Sequence, residues 1–148
     1  MIDSMPAAEV ANAERFERLG IAATLQTAAR TREEFATWLR QFFDLDPVRL
    51  SDLVLAINEA LANSAEFAYG TTDEPGTMDL RAWHDPADAS ITVVVADHGV
   101  WRQADAEPPT RNRGRGIPLM RALSDLTAIE TSVDGTQVRL VWTDVARR

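Results

Sequence analysis

Asn58-Glu59-Ala60-Leu61-Ala62-Asn63-Ser64-Ala65-Glu66-Phe67-Ala68-Tyr69 is the stretch on which the reading of this chain turns. It closes a longer run in which Leu50, Leu53, Val54, Ile57, Leu61, Ala65 and Ala68 recur at helical spacing and form one apolar face. Asp46-Pro47 opens that helix, with Asp46 as cap and Pro47 at the first helical position. Gly70 after Tyr69 is a fitting stop. Away from the apolar face, Glu59 and Asn63 are one turn apart, so their side chains project together. A carboxylate can polarise a hydroxyl or a water. An amide oxygen can be a hard ligand for Mg²⁺, which prefers oxygen donors and keeps phosphates and waters in its shell. Taken alone, such a pair is more often a solvated helix face.

Working outward, residues 1–17 are Ala- and Glu-rich and weakly patterned, which suggests a flexible N-terminal arm. Residues 18–28 alternate loosely and read as a strand. Thr31-Arg32-Glu33-Glu34 reads as a capping box opening a helix to about Phe43, with Phe35, Trp38, Leu39, Phe42 and Phe43 as its apolar face. Beyond the central helix, Thr77–His84 and Ser90–Ala96 read as strands joined by a hairpin turn at 85–88. A long polar loop over 98–115 leads to a helix at Gly116–Ser124. Strands at Leu126–Ser132 and Thr136–Thr143 follow, joined by a turn at 133–135. This order implies one α+β domain over 18–148. Its architecture is a two-layer sandwich: a mixed, mostly antiparallel sheet covered on one face by helices.

Three further segments carry chemistry. Val93-Val94-Val95-Ala96-Asp97-His98-Gly99 is an apolar strand ending in aspartate. A carboxylate there can accept a hydrogen bond from an exocyclic amine, and Gly99 lets a flat ring approach the backbone. Arg113-Gly114-Arg115-Gly116 is a glycine-rich turn entering a helix, whose free N–H groups, helped by arginine, make an anion site. Gly135-Thr136 leads into the last strand. Each of the three, alone, has an ordinary structural explanation: a strand-end turn, a flexible basic loop and a hairpin.

Composition narrows the choice. The net charge of −8 disfavours nucleic-acid binding, which needs a basic excess. There is no cysteine, so disulfides and thiolate chemistry are excluded. No apolar run approaches the roughly 20 residues that cross a bilayer, and the first twenty residues lack a signal-peptide pattern. A cytoplasmic protein is expected. The sequence also has no lysine, which excludes a Walker-A phosphate loop and the strand lysine of the protein-kinase fold.

In this order and spacing the four segments resemble those of the GHKL superfamily (histidine-kinase-like ATPases of Bergerat fold), and most of all its anti-sigma factor serine/threonine-protein kinases. Asn58–Tyr69 resembles their N-box, Asp97–Trp101 the first glycine box, Arg113–Met120 the second, and Gly135-Thr136 the terminal Gly-Thr. The likeness covers about residues 20–143. It implies ATP and Mg²⁺ as cofactors. Glu59 would be the catalytic base and Asn63 the metal ligand. Asp97 would accept the adenine amine, with Gly99 beneath the ring and Thr136 in support. Arg113, Gly114, Arg115 and Gly116 would form a lid over the phosphates. The implied partners are a sigma factor and an anti-anti-sigma antagonist of the STAS type, and members commonly dimerise. Two positions depart from the pattern: Phe67 replaces a frequent histidine and Trp101 a frequent glycine. They leave an alternative open, a non-catalytic module that regulates a partner by nucleotide occupancy.

Overall fold

A computed structural model describes residues 8–67, 76–98, 111–133 and 135–148. The elements in chain order are β1 (Ala8–Ala11), β2 (Arg15–Ala22), α1 (Leu25–Phe42), β3 (Phe43–Asp44), α2 (Pro47–Phe67), β4 (Thr77–Asp85), β5 (Ser90–Asp97), α3 (Arg111–Leu123), β6 (Leu126–Ser132), β7 (Gly135–Trp142) and β8 (Ala146–Arg147). Six strands form one sheet in the order β1-β2-β4-β5-β7-β6. Every adjacent pair in it is antiparallel. The expected α+β two-layer architecture is therefore present, with the three helices on one face.

The core follows from strand alternation. Met78, Leu80, Ala82 and His84 on β4, Val95, Val93 and Ile91 on β5, and Val138, Leu140 and Trp142 on β7 are buried toward the helices. From the helices, Phe35, Trp38 and Leu39 of α1 and Leu53, Ile57, Ala60 and Leu61 of α2 meet them. Phe16, Phe35, Trp38 and Phe43 stack in a chain of ring contacts 4.8 to 5.8 Å apart, which ties β2 and β3 to α1. Trp38 and Trp142 are core residues, whereas Trp83 lies on the opposite sheet face under the Arg139 guanidinium.

Several boundaries differ from the sequence reading. The segment read as a loose arm contributes β1 and the start of β2 to the sheet. The strand read over 18–28 ends at Ala22, and α1 begins at Leu25. Its cap is Thr24, whose hydroxyl accepts the Thr27 N–H at 3.1 Å, not Thr31. Thr31 is buried inside α1, and Glu34 pairs with Arg18 at 2.8 Å instead of closing a capping box. α3 begins at Arg111, ahead of the Gly116 expected, because glycine weakens a helix without forbidding it and the intervening arginines favour one. The Asp46 cap on α2 is as read, with Oδ1 accepting the Arg49 N–H at 2.8 Å. The expected stop at Gly70 lies outside the described residues.

Candidate functional site

Connectivity gathers one end of the sheet. Met78 stands opposite Asp97, and Ala96 opposite Gln137. The start of β4, the end of β5 and the start of β7 therefore meet. α2 leads into β4, so its C-terminal half is directed to the same end. Its N-terminal half is fixed at the other end, where Arg49 Nη2 donates to Asp125 Oδ2 at 3.1 Å and to the Thr143 carbonyl at 2.7 Å. α3 finishes beside that anchor, with Leu123 O accepting from Trp142 Nε1 at 2.8 Å. Its first turns consequently point back toward Asp97.

The flanks of α2 can be told apart. Asn58 Oδ1 accepts a long 3.4 Å bond from Arg32 Nη1, so that flank faces α1. Arg49 marks the flank toward α3 and β7. At about 3.6 residues per turn, Asn63 falls on the Arg49 flank and Glu59 lies about midway between the two. Both are half-buried, and among the described residues neither has a hydrogen-bond or ion-pair partner. These are two oxygen-bearing side chains held at a helix edge with their polar ends uncommitted.

Asp97 is 9% exposed at the end of β5. Its Oδ1 accepts the Thr136 N–H at 3.2 Å. The glycine before Thr136 is what permits that approach. Gly135 has φ +134°, and a Cβ built there would lie 2.1 Å from the Asp97 carbonyl oxygen. The Val133–Gly135 turn gave a sequence signal for a hairpin, but none for this cross-strand packing.

A cavity of about 520 Å³ opens at this end of the sheet, with Asp97, His98, Glu130, Ser132, Thr136 and Gln137 in its wall. By register Asp97 and Thr136 belong to the helix-facing side, while Ala96, Glu130 and Gln137 belong to the other. The cavity thus wraps the strand ends, and its lining includes neither Glu59 nor Asn63.

The structure brings Asp97 and Thr136 into contact and directs α2 and the start of α3 toward them. Arg113, Gly114, Arg115 and Gly116 lie in the first turns of α3, helical rather than in a turn preceding a helix. Their side-chain placement lies outside what the structure describes, as do Gly99, Trp101 and most of the loop expected over 98–115. One pair that the sequence did not single out is His98 with Asp79, 2.8 Å apart across the outer face.

Among solved structures, the RsbU and RsbW domains of Rv1364c from Mycobacterium tuberculosis superpose with a TM-score of 0.67 at 23% identity, covering 90% of this chain. The chain spans 33% of that structure's length. The histidine kinase domain of the Erythrobacter litoralis EL346 blue-light activated histidine kinase gives a TM-score of 0.51 at 19% identity, covering 64% of this chain and 44% of that one. At these identities the likeness is one of fold. No curated protein matches the sequence. The family model described as histidine kinase-like ATPase domain matches residues 21–142, from the end of β2 to the end of β7, and so takes in every element that builds the site. This chain belongs to the histidine kinase-like ATPase family.

Proposed function

We propose that residues 18–148 form an ATP-binding domain that acts as an anti-sigma-type serine/threonine protein kinase. It would bind a sigma factor and phosphorylate an anti-anti-sigma antagonist of the STAS type. The observation that carries the reading is the Asp97–Thr136 contact at the sheet end toward which the Glu59–Asn63 flank and the first turns of α3 are directed.

The residues fit the nucleotide. A buried carboxylate at a cavity wall is an acceptor for the adenine amine, and the Thr136 N–H holds it in place. Gly99 in this reading lies beneath the ring, while Arg113, Arg115 and the backbone at Gly114 and Gly116 meet the phosphates. The residues also fit Mg²⁺. Among the described residues no group of three His, Cys, Asp or Glu could cage a metal ion. A single amide oxygen from Asn63 suits a cation whose other ligands are phosphates and waters. When bound, Mg²⁺ supplies charge neutralisation at the phosphates.

Glu59 orients the partner's serine or threonine hydroxyl and takes its proton, while the α2 backbone fixes the distance between Glu59 and Asn63. Such transfer depends mainly on positioning and electrostatics, which suits a site built from a helix edge and two strand ends. The test is incubation with Mg-ATP and a purified STAS-type antagonist, followed by intact-mass analysis. One added phosphate on the antagonist and matching ADP are expected. Complex formation without added phosphate would instead identify a module that works by nucleotide occupancy.

A further inference from the structure

The residue after Asp97 is tied to the sheet in a way the nucleotide reading does not use. His98 Nε2 lies 2.8 Å from Asp79 Oδ2. The other oxygen of that carboxylate, Oδ1, accepts the Gly20 N–H at 2.7 Å. Gly20 has φ +70° and falls where β2 breaks register against β4, between Arg18 and Ile21. The His98 N–H also donates to the Thr77 carbonyl at 3.2 Å. One carboxylate on β4 therefore bridges the bulge of β2 to the point where the chain leaves β5.

Asp79 lies on the sheet face opposite the helices, so this tie contributes nothing to the apolar core. Its side chain is 14% exposed, whereas His98 is 54% exposed. The carboxylate is the fixed part, held by a backbone amide, and the imidazole is the part that could swing away. Releasing it would leave the backbone next to Asp97 with the 3.2 Å His98 N–H···Thr77 carbonyl bond but without the side-chain tie, beside the residue whose direction decides how an amine is met.

We infer that His98 is a positioning residue for the nucleotide site, latched by Asp79 so that the Asp97 carboxylate stays aligned with Thr136. The inference rests on the reading of Asp97 as the nucleotide acceptor. A half-exposed pair is worth up to about 1 kcal/mol, which corresponds to roughly a five-fold change in affinity at most.

The test is calorimetric titration of Mg-ATP into the full chain and its variants. His98→Ala is expected to weaken binding by about three- to five-fold, and His98→Gln, which keeps a donor for Asp79, to restore it. In an Asp79→Ala background, His98→Ala is expected to add no further loss, because the two act as one unit. Because His98 is exposed, its variants should fold, which circular dichroism checks. Wild-type affinity in His98→Ala, or a loss that His98→Gln does not restore, overturns the latch. Asp97→Asn runs in parallel. If it weakens binding while His98→Ala does not, only the latch fails. If Asp97→Asn leaves affinity unchanged, the nucleotide reading fails and takes the latch with it.

Discussion

Replacing Gly135 by alanine probes the joint between β5 and β7 most directly. The added methyl would lie 2.1 Å from the Asp97 carbonyl oxygen and 3.0 Å from Oδ1, where ordinary contacts begin at 3.4 Å. The nearest atom is backbone in a central strand, so it cannot rotate aside. The glycine's φ of +134° adds a second penalty, since side-chain-bearing residues rarely adopt it, and strain of this kind costs about 1–3 kcal/mol. The clash can be relieved only by moving the start of β7 outward. That motion breaks the Thr136 N–H···Oδ1 bond, and a bond to a charged group is worth about 1.5–3 kcal/mol. The two routes are alternatives in part, so a total of about 2–4 kcal/mol is expected. For a domain of this size each kcal/mol lowers Tm by roughly 2–4 °C, which gives a fall of about 4–16 °C by circular dichroism. Val133→Ala in the same turn is the control. Val133 is 81% exposed, and its loss should stay within about 0.5 kcal/mol. If Gly135→Ala melts within about 2 °C of wild type, the close approach at Asp97 is not what holds this end of the sheet.

Four further outcomes are expected. Asp97→Asn should weaken ATP by roughly ten- to a hundred-fold in titration calorimetry, because the amide brings a donor to an amine; unchanged affinity in the folded variant would falsify the adenine assignment. Asn63→Ala should abolish the difference in ATP affinity between Mg²⁺ and EDTA, and a persistent difference would mean that the cation is held elsewhere. Glu59→Gln should bind ATP normally and slow phosphoryl transfer to the antagonist by about 10²–10⁴-fold; transfer at the full rate removes Glu59 as the base. Asp125→Ala leaves Arg49 Nη2, Thr143 N and Thr143 Oγ1 without their shared acceptor. It should cost about 1–2 kcal/mol after discounting for exposure and lower Tm without changing ATP affinity, since this anchor lies at the far end of the sheet.

Much of the fold was legible because some elements carry their own punctuation. α2 has Asp46-Pro47 at its start and an unbroken apolar face, so its beginning and its buried side could be read directly. The β4–β5 and β6–β7 hairpins were legible for the same reason, a polar turn between two alternating runs. Elsewhere local signals competed. Thr24 and Thr31 both resemble caps, and the choice falls to Thr24 because Thr31 is needed inside the core. β1, β3 and β8 are two to four residues long, and pairing with a distant partner makes them strands, which no window of sequence reveals. The site divides in the same way. Asp97 was legible as the end of an apolar strand, whereas Thr136, in a turn leading into the last strand, was singled out only by the resemblance of the four segments taken together. The Asp79–His98 tie joins residues whose neighbours give no hint that they meet.

The small β3–β8 sheet has a consequence for the order in which this chain can finish folding. Phe43 and Asp44 pair with Arg147 and Ala146, which follow only after α2, the β4–β5 hairpin, α3 and the β6–β7 hairpin. Val145, fully buried, donates its N–H to Ala89 O, and its carbonyl meets His84 Nε2 at 2.7 Å. Arg148 adds bonds from its N–H to Phe42 O and from Nε to Arg40 O. During synthesis α1, α2 and the β4–β5 hairpin are all made before any of these partners exists. Until then His84, which stacks on Phe43, lacks its partner at the Val145 carbonyl. A nascent chain halted short of residue 145 would expose an apolar corner between its first two helices. Truncation there should thus be felt as aggregation of an otherwise assembled domain, at the end of the molecule remote from Asp97.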